Sequence, residues 1–162
     1  MAARALTKTS PRRCRLLYVE HDAESAALVE QLIAGRKDLL LVRAADTNQA
    51  LDLARTERPE VILLDIDLPG FSGERGAIAF MNLLRAQTAT QATPILALST
   101  NAAPEAVVKG LEAGFFQYLT KPVQAERFME ALIYALEFAA IERSEQAGPP
   151  SRARAQASKE SR

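Results

Sequence analysis

Asp65 closes an unbroken apolar run, Val61 to Leu64, and it is the first residue in this chain whose placement suggests chemistry. Four consecutive aliphatic residues suit a strand buried on both faces, as in a parallel sheet. A carboxylate at the carboxyl end of such a strand lies where open α/β sheets gather their ligands. Two further groups end runs of the same kind. Glu20, His21 and Asp22 follow Leu16 to Val19, and Lys121 with Pro122 follows the stretch from Phe115 to Thr120. An acidic cluster facing one lysine is what a site handling phosphate and a metal ion needs.

The elements that would position these groups alternate along the chain. Strands are expected over Leu16–Val19, Leu39–Ala44, Val61–Leu64, Ile95–Leu98 and Phe116–Leu119. Helices are expected over Ala23–Arg36, where Leu28, Leu32, Val29 and Ile33 recur at helical spacing, and over Asn48–Glu57, capped by Asp46 or Thr47 and stopped by Pro59. Further helices are expected from about Arg75 to Gln87, from Pro104 to Ala113 with Gly114 as the C′ residue, and from Gln124 to about Arg143. Pro69, Gly70, Phe71, Ser72 and Gly73 form a turn. Five strand–helix units imply right-handed crossovers and a five-stranded parallel α/β sheet, doubly wound with helices on both faces.

Composition narrows the function classes. At 162 residues the chain is one domain with tails, and 48% hydrophobic content supports a core. A formal net charge of zero gives no argument for nucleic acid, which is expected not to be a partner. No apolar stretch is long enough to span a membrane, and the N-terminus lacks a signal-peptide core. Cys14 is the single cysteine, which excludes an internal disulfide and suits a reducing cytoplasm. His21 is the single histidine, which excludes a multi-histidine metal site. Residues 1–13 read as a flexible basic arm, 14–143 as the folded domain and 144–162 as a disordered polar tail.

From about residue 14 to 142 the chain resembles the receiver domains of two-component response regulators, with their CheY-like, flavodoxin-like (βα)5 fold. The resemblance rests on four motifs in order: the acidic group after the first strand, Leu63 to Gly70 around Asp65, Ala97 to Thr100 around Ser99, and Tyr118 to Pro122 around Lys121. It implies that Asp65 is the phospho-acceptor, attacking phosphorus on a histidine kinase, a phosphotransfer protein or a small phosphodonor to form an acyl phosphate. Lys121 would neutralise phosphoryl charge, and its bond to Pro122 would be cis. Ser99 would hydrogen-bond the phosphoryl group, and Tyr118 would turn inward as Ser99 moves. Glu20, Asp65 and the backbone carbonyl of Asp67 would hold Mg²⁺. Asp67 and Asn101 would tune the lifetime of the acyl phosphate.

The chain departs from this pattern at His21, which takes the place of a carboxylate that binds the ion directly. Mg²⁺ is hard and prefers oxygen, so imidazole is a poor substitute. Three outcomes are open. Asp22 or Glu20 supplies the missing oxygen and Mg²⁺ binds weakly; a borderline ion such as Mn²⁺ binds through His21; or no metal binds, His21 pairs with Asp65 or Glu20, and the domain is a phosphorylation-independent pseudo-receiver. A second departure is the span of 34 positions from Asp65 to Ser99, about one helical turn longer than in a typical receiver. The added residues are expected between Gly73 and Ile78, beside the acidic pocket.

The last helix carries two apolar stripes. Phe128, Met129, Leu132, Ile133, Leu136 and Ala140 are expected to face the sheet. Tyr134, Phe138 and Ile141 fall on the other side and suit a partner, most simply a second copy through the fourth and fifth helices. The polar tail is too short for a DNA-binding or enzymatic output. The expected function is therefore that of a single-domain response regulator, signalling by phosphorylation-dependent binding to a downstream protein. Anion binding by the arginines of the tail, and origin as a domain of a hybrid kinase, stay open as alternatives. A conventional enzyme is not expected, because no nucleophile–base pair or glycine-rich nucleotide loop is present.

Overall fold

The computed structural model describes residues 12–148. The elements follow in order: β1 (Cys14–Val19), α1 (Ala23–Ile33), β2 (Leu39–Ala44), α2 (Thr47–Glu57), β3 (Val61–Asp65), α3 (Gly73–Ala86), a 3₁₀ turn (Thr88–Thr90), β4 (Ile95–Ser99), α4 (Pro104–Ala113), β5 (Gln117–Thr120) and α5 (Ala125–Ala147). The five strands form one parallel sheet in the order β2-β1-β3-β4-β5.

The two faces of the sheet are read directly from alternation along the strands. Leu17, Val19, Ile62, Leu64, Ile95 and Ala97 point to one face, where Ala50 and Ala54 of α2 and Ala77, Phe80, Met81 and Leu84 of α3 cover them. Leu16, Tyr18, Val61, Leu63, Leu96 and Leu98 point to the other, under Ala26, Val29 and Ile33 of α1 and Phe128, Ala131, Leu132 and Ala135 of α5. Every residue of β3 is buried. This is the doubly wound flavodoxin-like architecture, and its switch point lies between β1 and β3, where the crossovers diverge to opposite faces.

Several boundaries differ from the sequence expectation for local reasons. Helix α1 stops at Ile33 rather than Arg36, because the chain turns at Ala34 and Gly35 and the Arg36 guanidinium forks onto Asp38 at 2.8 and 2.7 Å. Asp46, not Thr47, caps α2, its carboxylate accepting from the Gln49 amide at 2.8 Å. The β3–β4 crossover also carries the 3₁₀ turn after α3, at the end of the sheet away from Asp65. Its Thr90 hydroxyl is anchored on the Leu84 carbonyl.

Helix α5 runs past the expected boundary at 143. Ser144, Glu145, Gln146 and Ala147 continue the turn until Gly148 ends it at φ 63°. Its buried face also differs. Phe128, Ala131, Leu132, Ala135 and Ala139 are buried, whereas Ile133 and Ala140 are exposed. Small alanines allow the helix to approach the sheet closely, and Ile133 is turned out in consequence. Tyr134, Phe138 and Ile141 are exposed as expected. Of the two terminal segments, Arg12 is tied to the buried Glu60 at 3.2 Å, while residues 1–11 and 149–162 lie outside the described residues.

Candidate functional site

The site forms at the carboxyl ends of β1, β3 and β5. The Glu20 amide extends the β1 ladder by donating to the Ala44 carbonyl at 3.0 Å, which draws its side chain fully inside. Its Oε2 accepts from the Tyr18 hydroxyl and from Lys121 Nζ, both at 3.1 Å, and its Oε1 from the Asp22 amide at 3.2 Å. Asp65, 1% exposed, accepts the Asp67 amide at Oδ1 at 2.9 Å, with Lys121 Nζ 3.3 Å from the same oxygen. Lys121 thus bridges both carboxylates from the β5–α5 loop, and its bond to Pro122 is cis. His21 Nδ1 stands 3.6 Å from Glu20 Oε1 and 3.9 Å from Asp65 Oδ2, with half of its side chain in solvent.

Tyr18 has a role the sequence analysis did not give it. It lies two positions before Glu20 in an otherwise aliphatic stretch, so the two side chains share a face, and its buried hydroxyl is committed to the carboxylate. Burial, then the nearby Glu20 charge, raises its pKa and keeps it protonated as a donor.

Two other acidic residues behave differently from the expectation. Asp22 does not join the cluster as a ligand. Its Oδ2 accepts from the Ser25 amide at 2.9 Å and the Ser25 hydroxyl at 2.8 Å, capping α1. Those bonds lower its pKa and hold it as a carboxylate at the helix N-terminus. Asp67, expected to lend its backbone carbonyl to the ion and to tune the acyl-phosphate lifetime, also braces the β4–α4 loop with its side chain. Oδ1 accepts from the Ser99 hydroxyl at 3.1 Å, and Oδ2 from the Thr100 amide at 2.7 Å and the Thr100 hydroxyl at 3.0 Å. Ser99 in turn accepts from the Asn101 amide at 3.0 Å.

The Tyr118 hydroxyl donates to the Asn101 carbonyl at 2.8 Å, so the loop is held from the β5 side as well. Its ring lies on Gly110 of α4, where a Cβ would come within 2.8 Å of Cδ2. Partial burial raises the Tyr118 pKa.

Charge is unbalanced in this pocket. Two buried carboxylates face one ammonium. Burial and the neighbouring Glu20 push the Asp65 pKa up to about 6, against the Asp67 amide and Lys121, which favour the ion. Burial opposes the charge on Lys121 too, but Asp65 and Glu20 outweigh it and its pKa is raised. Burial thus works against the charge on Asp65, while the two carboxylates favour the protonated form of Lys121.

Glu20, His21 and Asp65 bring three donor atoms within 4.8 Å of one another, a set able to hold a metal ion. The two carboxylate oxygens fit Mg²⁺; the imidazole nitrogen does not, because Mg²⁺ demands near-octahedral oxygen coordination.

With this geometry established, the comparisons with known proteins agree. Residues 16–133 match the response regulator receiver domain family, and the chain belongs to it. Its CheY-like fold is that of a receiver domain of two-component response regulators. The DNA-binding response regulator MtrA of Mycolicibacterium paratuberculosis is 31% identical over 118 residues, covering 72% of this chain and 48% of that protein. The transcriptional regulatory protein AfsQ1 of Streptomyces coelicolor is 35% identical over 121 residues, covering 75% of this chain and 49% of that protein. The chain spans about half the length of the curated relatives it matches.

Among solved structures, the chemotaxis protein CheY4 of Vibrio cholerae aligns with a TM-score of 0.67 at 27% identity, covering 76% of this chain and 99% of that one. The receiver domain of sensor histidine kinase PA1611 from Pseudomonas aeruginosa, which has a magnesium ion coordinated in its active site cleft, aligns with a TM-score of 0.66 at 26% identity. That match covers 77% of this chain and 98% of that one. Among the described residues no helix is long and apolar enough to cross a membrane.

Proposed function

We propose that Asp65 accepts a phosphoryl group from the phosphohistidine of a histidine kinase or phosphotransfer protein. The observation that carries this reading is the buried Asp65 carboxylate held against Lys121 at 3.3 Å, at the switch point of the sheet. A carboxylate oxygen attacks phosphorus in line; the P–N bond to the donor imidazole breaks as a P–O bond forms, and the imidazole leaves carrying a proton. Lys121 lies close enough to Oδ1 to neutralise the equatorial phosphoryl oxygens as charge moves onto them. Ser99 reaches that group only by leaving Asp67, so phosphorylation competes with the brace on the β4–α4 loop.

The output surface in this reading is the face made by α4, β5 and α5. A groove of about 570 Å³ opens there beside Tyr118 and Tyr134. Tyr134 lines it and is exposed, and Val108 and Leu111 of α4 and Ile141 of α5 are exposed too, which supports docking of a downstream protein or a second copy.

Incubation with phosphoramidate, followed by intact-mass spectrometry, tests the phospho-acceptor. The expected result is a gain of one phosphoryl group that Asp65→Asn abolishes. No gain with Mg²⁺, Mn²⁺ or the cognate kinase would leave the domain a binding module only.

A further inference from the structure

The geometry points to a metal site of a different class from the all-oxygen Mg²⁺ centre that the family implies. We infer that Glu20, His21 and Asp65 bind a divalent ion that accepts imidazole, of the Mn²⁺ and Co²⁺ kind, in preference to Mg²⁺. The inference rests on the reading of this pocket as the phosphoryl-acceptor site and specifies its cation.

Three independent features carry it. The first is the donor set. His21 Nδ1 faces Glu20 Oε1 at 3.6 Å and Asp65 Oδ2 at 3.9 Å, so an ion entering between the carboxylates meets the ring nitrogen. The affinity of a mixed nitrogen–oxygen site rises along the first row from Mn²⁺ through Co²⁺, and imidazole suits the later ions best, whereas Mg²⁺ gains little from it.

The second is the loss of the obvious substitute. The next carboxylate in sequence, Asp22, has Oδ2 committed to the Ser25 amide and hydroxyl, and its side chain caps α1. Recruiting it as an oxygen ligand would uncap the helix, at a cost in stability. That cost works against the route by which Mg²⁺ would regain its oxygen coordination.

The third is electrostatic. Glu20 and Asp65 are 0% and 1% exposed, and among the described residues Lys121 is the one lysine paired with both. The pocket keeps a net negative charge with a neutral imidazole, and a dication reverses that imbalance. Tyr18 and Lys121 hold Glu20 Oε2, which fixes the carboxylate with Oε1, the acceptor of the Asp22 amide, turned toward His21. His21 is 49% exposed, so water can complete the coordination sphere.

The test uses the tag-free full chain, stripped of metal, titrated with CoCl₂, MnCl₂ and MgCl₂ separately. His21 is the only histidine in the chain, so a nitrogen coupling in the Mn²⁺ electron spin-echo spectrum is assigned without ambiguity. The expected results are an imidazole nitrogen coupling to bound Mn²⁺, Co²⁺ affinity at least tenfold above Mg²⁺ affinity, and a fall of at least tenfold in that ratio in His21→Asp. His21→Ala should remove the nitrogen coupling. Both variants change a half-exposed loop side chain and should remain folded.

A Co²⁺ to Mg²⁺ ratio unchanged in His21→Asp, or a Mn²⁺ complex without nitrogen coupling, would overturn the inference. Phosphoramidate labelling of the same samples tests the underlying reading separately. His21-dependent Co²⁺ binding with no labelling by any ion would sink the phospho-acceptor and uphold the metal site.

Discussion

Replacing Asp65 by asparagine should stabilise the metal-free protein at neutral pH while destroying its proposed activity. The reasoning starts from the pKa of Asp65, pushed from 3.8 up to about 6 by burial and by Glu20. In the unfolded chain the group loses its proton near 3.8; in the native state it keeps it to about 6. Between those values the native protein binds more protons than the unfolded one, so stability falls as pH rises through the window. Above it the full penalty of a charged Asp65 is present, and below it the penalty vanishes.

At about 1.4 kcal/mol per pKa unit the upper bound on that penalty is ~3 kcal/mol. Water reaching the pocket past the half-exposed His21 screens the field and brings the expected value to roughly 1–2 kcal/mol. Urea denaturation followed by circular dichroism, with EDTA present, should show Asp65→Asn more stable than the native chain by that amount at pH 7.5. The difference should close toward pH 4. A variant that is less stable at pH 7.5, or a gain that does not shrink on acidification, would refute the argument that the pocket disfavours the charge on Asp65.

Other consequences follow from contacts elsewhere. Gly110→Ala would place a Cβ 2.8 Å from the Tyr118 ring, so the ring should leave α4 and its bond to Asn101 should break. Denaturation should record a loss of about 1–3 kcal/mol, and the Tyr118 ring resonances should shift. Glu60 is buried, accepts the Arg15 amide and pairs with Arg12 and Arg143, so Glu60→Ala should cost about 1–3 kcal/mol in the same assay. Asp52→Ala, which removes an exposed pair with Arg55 at 3.5 Å, should cost less than about 0.5 kcal/mol. Tyr134→Asp should shift any dimer seen by light scattering toward monomer without altering phosphoramidate labelling of Asp65, because Tyr134 lies on the exposed face of α5.

Much of this molecule is written in short-range pattern. The apolar runs of β1 and β3, each followed by a carboxylate, determine a buried parallel sheet and the end of it at which chemistry occurs. Lys121 is legible for the same reason, since a strand delivers the residue that follows it to that end. Asp46, Pro59 and Gly114 mark helix ends through local backbone preferences that act within a few residues.

What only the tertiary structure decided are choices between equally good local options. Asp22 and Glu20 are both acidic residues after β1; the hydrogen bonds of Ser25 made one a cap, and the Ala44 ladder drew the other inside. The Asp67 side chain found Ser99 and Thr100, more than thirty positions away, only because β3 and β4 lie side by side. On α5, periodicity alone nominated Ile133 and Ala140 for the core, but the sheet took Ala131, Ala135 and Ala139, whose small side chains permit close approach. Sequence pattern sets which residues can be buried and where strands end. Which polar atom meets which is set by partners brought together from distant parts of the chain, and that pairing is where the character of the site resides.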